Sequence, residues 1–270
     1  MDKIIKDLSS ADLVSALETN MYEFYKPWGR TPQSELWADS DLIQVVTGLP
    51  FALLNGIFGA RLAPEHVDAV IETTIAHLAS RQVPGLWWSG PSTQPPDLGR
   101  HLESHGFVHT GDTPGMAVDL LALAQDAPLP ADVTIKRVED REMLRIWAQV
   151  GWVGTGFPAT GQDKFAELEL SIGLPPDRSR YRYLGFKDGV PVATSAMALH
   201  AGVAGIFAVA TLAEFRRQGM GAAVTLAPLL DAREMGYRVG TLQASEMGFP
   251  VYRRLGFQEV CKLGNYLWKG

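Results

Sequence analysis

Hydrophobic and polar positions along the chain form two successive series of short apolar runs and segments of helical periodicity. Apolar residues at three- and four-residue steps predict helices, and short apolar runs bounded by glycine or proline predict strands. In the first series the predicted elements are a helix within residues 1–20, strands at 42–49, 51–58 and 86–88, and helices at 64–80 and 98–105. Residues 20–39, rich in aromatic side chains and interrupted by prolines, predict irregular structure.

In the second series, residues 203–257 repeat the order of strand, helix, short strand, loop, short helix and Gly-Phe pair found in the first. Its predicted strands are 133–138, 181–186, 190–199, 202–211, 239–243 and 266–268, and its predicted helices begin at Asp140, pass through Phe165, and span 219–235 and 249–255. Asp188-Gly189 predicts a hairpin turn because both residues tolerate positive φ. The glycine-rich segment 151–161 predicts a loop. Pro228 predicts a kink or an early break in its helix, because proline removes a backbone hydrogen bond.

The repeated order favours an internal duplication, although two unrelated α/β segments could share such an order. We predict an N-terminal domain at 1–124 and a C-terminal domain at 132–270, joined by a proline-containing linker at 125–132. The first half has no glycine-rich turn before its long helix, and its Leu102 aligns with Tyr252. We therefore expect the first domain to be a degenerate copy that supports the second.

Composition narrows the possible functions. The net charge of −6 and the scattered basic residues argue against a general nucleic-acid binder. A single cysteine, Cys261, excludes an internal disulfide, and no cysteine pair has metal-ligand spacing, so we expect no metal. No signal-peptide core or membrane-length apolar segment is present, so the cytoplasm is the expected compartment and no membrane partner is expected. The oligomeric state stays open between monomer and homodimer.

The segment Arg216-Arg217-Gln218-Gly219-Met220-Gly221 lies between a predicted buried strand and a predicted helix. The first turn of a helix has backbone N–H groups without intrahelical partners, and the helix dipole adds partial positive charge there. Glycines at 219 and 221 remove side chains that would hold an anion away from these donors. The segment therefore predicts a phosphate-binding loop.

Two motifs resemble the GCN5-related N-acetyltransferases, the GNAT family. The pattern Arg216-x-x-Gly219-x-Gly221 resembles the pyrophosphate signature of that family, and Tyr252-Arg253-Arg254-Leu255-Gly256-Phe257 resembles its late tyrosine followed by Gly-Phe. Their order and spacing agree with the family over residues 132–270. The resemblance implies an α/β fold with a mixed, mostly antiparallel central sheet flanked by helices, present here as two domains in tandem.

The resemblance also implies acetyl-CoA as the acyl donor and assigns residues to it. Backbone N–H groups of the loop would hold the pyrophosphate, main-chain groups of the preceding strand would pair with the pantetheine arm or polarise the thioester carbonyl, and Ser245 stands where the family often has a cofactor-binding asparagine. The predicted cofactor-binding residues are Phe207, Val209, Thr211, Arg216, Arg217, Gln218, Gly219, Met220, Gly221, Ala222 and Ser245.

Catalysis requires an acid for the leaving thiolate and a neutral amine. Tyr252 is the predicted general acid, because a phenol stays protonated at neutral pH; the alternative is a core tyrosine of an amphipathic helix. Many relatives carry a glutamate on the strand before the loop, whereas residues 204–211 contain no ionisable side chain. His200 is the candidate base because of its reference pKa, Glu246 lies near Ser245 in sequence, and a water relay or a neutral amine are equal alternatives.

We therefore predict an N-acetyltransferase that moves an acetyl group from acetyl-CoA to a primary amine of a small molecule or peptide. Two alternatives remain. The chain could be a non-catalytic acyl-CoA sensor, which the missing strand carboxylate favours and Tyr252 disfavours, or it could transfer a longer acyl group. The sequence leaves the acceptor unassigned, because loops outside the motifs determine it.

Overall fold

The computed structural model describes residues 3–123, 132–174 and 179–270. The helices are α1 Leu13–Tyr25, α2 Val67–Ser80, α3 Leu98–Ser104, α4 Arg141–Thr155, α5 Gln162–Ile172, α6 Met220–Glu234 and α7 Phe249–Arg254. The strands are β1 Glu35–Ala38, β2 Ile43–Val46, β3 Asn55–Phe58, β4 Gly85–Ser89, β5 Val108–Asp119, β6 Val133–Arg137, β7 Arg180–Lys187, β8 Val190–His200, β9 Val203–Thr211, β10 Val239–Gln243 and β11 Gln258–Trp268. Among the described residues, no helix is both long and apolar enough to cross a bilayer.

The chain divides into two compact units. The major unit consists of Met1–Asn20 and Gly115–Val260, and the minor unit consists of Met21–Pro114 and Cys261–Gly270. The predicted domains 1–124 and 132–270 coincide with these units only in their central parts, because β5 and β11 each contribute residues to both units. The predicted linker 125–132 lies outside the described residues except for Asp132.

The sheet of the major unit has the strand order β5-β10-β9-β8-β7-β6. Strands β9 and β10 are parallel, and the other pairs are antiparallel. The helices α4 and α6 cover opposite faces of β8, since Thr194 lies against Gly151 of α4 and the next residue, Ser195, donates a hydrogen bond to Val224 of α6. The predicted mixed, mostly antiparallel sheet is confirmed.

The sheet of the minor unit has the strand order β1-β2-β3-β4-β11, again with one parallel pair, β3 and β4. Residues Gly264–Trp268 pair antiparallel with Gly85–Ser89 of β4. A separate apolar core fills this unit. Its fully buried members include Ile57, Ile71, Trp87, Leu98 and Leu102.

The two halves repeat the same local structure after their short helices. Phe107 donates its N–H to the carbonyl of Leu102, and Phe257 donates to the carbonyl of Tyr252, both at 3.0 Å. Gly106 and Gly256 adopt φ values of 89° and 94°, the left-handed conformation that ends both helices. Leu102 and Tyr252 therefore occupy corresponding positions, as the sequence predicts.

Two predictions of irregular structure are wrong, and both errors arise from packing that the local pattern does not show. Helix α1 continues to Tyr25, and residues 35–38 form β1. Helix α4 continues through the predicted loop as far as Thr155, although it contains Gly151 and Gly154. An added methyl group at Gly154 would lie only 3.1 Å from the Thr211 nitrogen, so this glycine permits close helix–strand contact.

The predicted early break at Pro228 does not occur, because α6 runs through this residue. Proline cannot donate to the carbonyl one turn earlier, which belongs to Val224. The hydroxyl group of Ser195 donates to that carbonyl instead, at 2.5 Å. The neighbouring strand thus satisfies the acceptor that proline leaves open, and the helix remains continuous.

Asn20 anchors the N-terminal segment to the start of β9, and this contact yields a stability prediction. Its Nδ2 donates to the carbonyls of Ala198, His200 and Val203 at 3.0–3.1 Å. An added Cβ at Gly205 would lie 1.9 Å from Asn20 Oδ1. We expect Gly205→Ala to lower the free energy of unfolding by about 3 kcal/mol, measured by urea denaturation.

Gly221→Ala is the matched control for this substitution. A Cβ at Gly221 would meet only Thr211 Oγ1, at 4.0 Å, so we expect unchanged or slightly higher stability. If the Gly205→Ala and wild-type proteins have the same free energy of unfolding, the contact between Asn20 and β9 does not contribute to stability and the prediction is wrong.

Candidate active site

The loop between β9 and α6 has a backbone conformation that gathers N–H groups. Arg217 and Gly219 both adopt positive φ, at 60° and 84°, with Gln218 between them. A non-glycine residue rarely adopts this conformation, which brings successive N–H groups into an anion-binding concavity. Arg217 therefore holds an unfavourable backbone geometry where the sequence predicts phosphate binding.

The N-terminus of α6 is open. The first helical hydrogen bond recorded there runs from the Ala223 N–H to the Gly219 carbonyl at 3.0 Å, and no side chain caps the helix. Among the described residues we find no backbone acceptor for the N–H groups of residues 217–222. These donors and the positive end of the helix dipole favour a bound anion.

Arg216 is not a free phosphate ligand. Its Nε donates to the carbonyl of Thr211 at 3.2 Å, and its Nη2 donates to the carbonyl of Gly154 at 3.0 Å. The guanidinium group therefore ties the loop to the end of β9 and to the last turn of α4. The side chain of Arg216, a predicted cofactor-binding residue, is thus already hydrogen-bonded within the protein.

Strands β9 and β10 separate next to this loop. Their parallel pairing ends at Ile206 and Leu242, whereas β9 continues to Thr211. A β-bulge accompanies the separation, since the register with β8 shifts and Ala208 adopts a φ of 49°. The opening leaves one edge of β9 without a strand partner from β10.

Hydrogen-bonding direction identifies which residues face this opening. Leu212 donates to the Val192 carbonyl of β8 at 2.9 Å, so alternate residues of β9 bond to β8. The backbone groups of Val209 and Thr211 consequently point away from β8, toward the opening. The N–H and carbonyl of Val209 and the N–H of Thr211 are available to pair with an extended ligand arm, whereas the Thr211 carbonyl already accepts from Arg216.

Tyr252 of α7 lies on the other side of the opening. Its side chain is 7% exposed, and its ring packs against Gly248, where an added Cβ would lie 2.7 Å from Tyr252 Cε2. Burial raises the pKa of Tyr252 to about 12, because the apolar surroundings disfavour the phenolate. Its hydroxyl group has no hydrogen-bond partner in the described part of the chain. The phenol is therefore a protonated donor that is free to act on a ligand.

A cavity of about 460 Å³ joins the loop, the opening and Tyr252. Its charged lining residues are Arg216, Arg217 and Arg254, and no Asp, Glu or His is among the described residues that line it. The full lining is Gly154, Val209, Ala210, Thr211, Arg216, Arg217, Gly219, Gly221, Ala222, Ser245, Met247, Gly248, Pro250, Val251, Tyr252 and Arg254. The cavity thus favours an elongated, anionic ligand.

Among comparisons with known proteins, only the one with solved structures finds matches, and it identifies the fold. No family model matches the sequence, and no curated protein matches it. Among solved structures, a GCN5-related N-acetyltransferase from Kribbella flavida matches with a TM-score of 0.71 and 22% identity, covering 94% of this chain and 96% of that chain. A GCN5-related N-acetyltransferase from Sphaerobacter thermophilus matches with a TM-score of 0.63 and 15% identity, covering 95% and 90%.

A third match is a tandem GNAT protein from the clavulanic acid biosynthesis pathway, with a TM-score of 0.61, 14% identity, and coverage of 92% of this chain and 87% of that chain. The chain has the GNAT fold. The match to a tandem protein spans both halves, so the predicted tandem organisation of the fold is also confirmed.

The GNAT fold brings together most of the predicted site residues, but four lie elsewhere. Val209, Thr211, Ser245, Tyr252 and most of the loop line the cavity. Met220 is buried in the core, and the Gln218 side chain donates to the Glu214 carbonyl on the exposed side. Phe207 packs over Gly205 and does not line the cavity.

His200 is the fourth residue, and its position argues against a role as base. It pairs with Val203 at the start of β9, whereas the cavity lies at the end of this strand. The span from Val203 to Val209 is about 20 Å in an extended strand. A general base must reach its proton within hydrogen-bond distance, so His200 is too far away. Glu246 is also absent from the lining.

The cavity also contains residues that the motifs do not include. Gly154 lies at the end of α4, and Met247, Gly248, Pro250 and Arg254 surround α7. Gly154 has no sequence signal for this position, because the glycine-rich segment 151–161 predicts a loop and not a packed helix. The place of Arg254 in the lining has no sequence signal either, because it depends on the tertiary packing of α7.

The corresponding opening in the minor unit is filled by its own chain. Strands β3 and β4 pair in parallel only at Gly56 and Ile57, which resembles the separation of β9 and β10. Here, however, the Gln94 N–H donates to the Ala60 carbonyl at 2.8 Å, and Gln94 accepts from the Leu62 N–H at 3.0 Å. The strand edge that would face a cofactor arm is therefore already paired.

Proposed function

We propose that this chain is an acetyl-CoA-dependent N-acetyltransferase that acts on a primary amine of a small molecule or peptide. The observation that supports this proposal most strongly is one continuous cavity, which extends from an uncapped helix N-terminus, along an unpaired strand edge, to a buried and protonated tyrosine. This arrangement suits a ligand with an anionic end, an extended polar arm and a reactive group near Tyr252.

The residues take distinct roles in this proposal. N–H groups of residues 217–222 bind the diphosphate, and the backbone of Val209 and Thr211 bonds to the pantetheine arm. Bound acetyl-CoA supplies an activated acetyl thioester. The phenol of Tyr252 would donate its proton to the departing thiolate sulfur, and the proton that the amine nitrogen loses on acetylation would restore the phenol. A pKa of about 12 keeps Tyr252 in the acid form at neutral pH.

No carboxylate or imidazole lines the described cavity, so we propose that the amine enters in its neutral form. An amine with a pKa above the assay pH would then react faster as the pH rises, because a larger fraction is unprotonated. Positive charge from the three arginines lowers the local concentration of ammonium ions and favours this neutral form.

The same lack of a base keeps the non-catalytic acyl-CoA sensor as the second candidate. Release of free thiol from acetyl-CoA, measured against a panel of amines at pH 7 and pH 9, separates the two. We expect turnover with at least one amine and higher rates at pH 9. Tight binding of acetyl-CoA without turnover on any amine would favour the sensor. Turnover only with longer acyl-CoA donors would favour the alternative in which the chain transfers a longer acyl group.

We propose that the minor unit has no cofactor site and acts as support, in agreement with the degenerate domain that the sequence predicts. The pairing of Gln94 with Ala60 and Leu62 supports this role, because it occupies the strand edge. The buried Leu102 supports it further, because it stands where the major unit has Tyr252.

A substitution in the loop tests the cofactor assignment. Gly221→Asp places a carboxylate beside the free N–H groups of α6, where it satisfies those donors and repels phosphate. We expect the affinity for coenzyme A to fall by more than about 100-fold, measured by calorimetry. Gly221→Ala should lose less than about tenfold, because its methyl group has space. Equal losses in the two variants would contradict phosphate binding at this position.

A further inference from the structure

The three arginines that line the cavity differ in their hydrogen-bond partners and in the structural elements that carry them. Arg216 donates to two backbone carbonyls and serves the loop itself. Arg217 lies in the loop, beside the N–H groups that receive the diphosphate. Arg254 belongs to a different element, the last turn of α7, and lines the cavity from that side. Arg254 therefore lies outside the predicted phosphate-binding loop, and binding of the diphosphate by that loop does not explain a positive charge at this position.

Arg254 has no ion pair or hydrogen bond within the described part of the chain. Its neighbour Arg253 behaves differently, since it donates to the Phe257 carbonyl at 3.5 Å and is not part of the lining. Both arginines complement the negative end of the α7 dipole. Only Arg254 is also part of the cavity lining, which contains no described carboxylate that could neutralise its charge.

We propose that Arg254 binds a second anionic group of the ligand, separate from the diphosphate held by the loop. This inference rests on the proposed function. A planar guanidinium group binds a phosphate monoester or a carboxylate through paired hydrogen bonds. Coenzyme A carries such a phosphate on its ribose, and an acyl group with a terminal carboxylate carries the same chemistry. Arg254 thus contributes to the selectivity among ligands as well as to the affinity.

The test compares Arg254→Gln with the matched control Arg253→Gln, in the full chain. Each substitution removes one positive charge from the last turn of α7, but only the first changes the cavity. We expect Arg254→Gln to weaken coenzyme A binding about tenfold and Arg253→Gln by less than about twofold. Titrations with coenzyme A and with 3′-dephospho-coenzyme A then identify the anionic group.

If the ribose phosphate is the partner, wild-type protein and Arg253→Gln prefer coenzyme A over the dephosphorylated form about tenfold, and Arg254→Gln loses this preference. If an acyl carboxylate is the partner, that preference is unchanged, and Arg254→Gln instead lowers kcat/KM for succinyl-CoA relative to acetyl-CoA. Identical behaviour of the two variants with all of these probes overturns the inference and leaves the proposed function intact. Failure of the wild-type protein to bind coenzyme A overturns both.

Discussion

The fragment 132–270, expressed alone, is expected to remain unfolded. It lacks Gly115–Asp119, which pair with the whole of β10, and the N-terminal segment that bonds to Gly202 and the start of β9. It also loses the buried side chains of Met116, Val118 and Leu120, each worth about 2 kcal/mol of burial. Since domains are stable by only about 5–15 kcal/mol, the loss removes most of the stability.

Far-UV circular dichroism and thermal unfolding of the purified fragment provide the measurement. The control is co-expression of 1–131 with 132–270, which restores every described residue and is expected to yield a co-purifying, cooperatively unfolding complex. If the fragment 132–270 unfolds cooperatively on its own, the residues before 132 are not required for the major unit to fold. That result would favour the domain boundaries that the sequence predicts.

Replacement of Tyr252 by phenylalanine is expected to lower kcat about 100-fold or more, with little change in the affinity for coenzyme A. General acids contribute about 10²–10⁴-fold to such steps, and the missing hydroxyl group is the proton donor in our proposal. Its ring, which packs against Gly248, remains in phenylalanine. Steady-state kinetics and a separate binding titration distinguish the loss of catalysis from a loss of binding.

Tyr181→Phe is the matched control, because Tyr181 lies on β7 outside the cavity lining. The pH dependence gives an independent check. Because burial raises the pKa of Tyr252 above its usual value to about 12, the acid form persists through pH 10 and is lost only as the pH approaches 12. The difference in alkaline absorbance titration between wild-type protein and Tyr252→Phe should therefore show a late ionisation. Ionisation near pH 10 would place Tyr252 in contact with water.

Much of the fold follows from local patterns. The hairpin at Asp188-Gly189, the helix after the glycine loop and the Gly-Phe turns all depend on residues close in sequence. The membership of β5 and β11 in two units does not, because strand pairing over long sequence distances leaves no local pattern. Local patterns do not predict the continuation of α4 through Gly151 and Gly154 for a related reason, since close packing against β8 and β9 outweighs low helix propensity.

The candidate site also combines residues that local sequence motifs predict with residues that only the structure identifies. The loop and Tyr252 were predictable because short motifs carry their backbone conformation and chemistry. His200 is a candidate base because of its reference pKa, but the hairpin places it beside the start of β9, away from the cavity. The side-chain contacts of Arg216 and the place of Arg254 in the lining depend on α4 and α7. Only the structure therefore separates the arginine that ties the loop from the one that lines the cavity without a hydrogen-bond partner in the described part of the chain.

The central claim is that one cavity, in the major unit, binds coenzyme A. Its most direct test is the stoichiometry of coenzyme A binding to the full chain, measured by isothermal titration calorimetry. We predict one molecule per chain, since Gln94 occupies the corresponding strand edge of the minor unit. A stoichiometry of two, or no binding at all, would contradict the account.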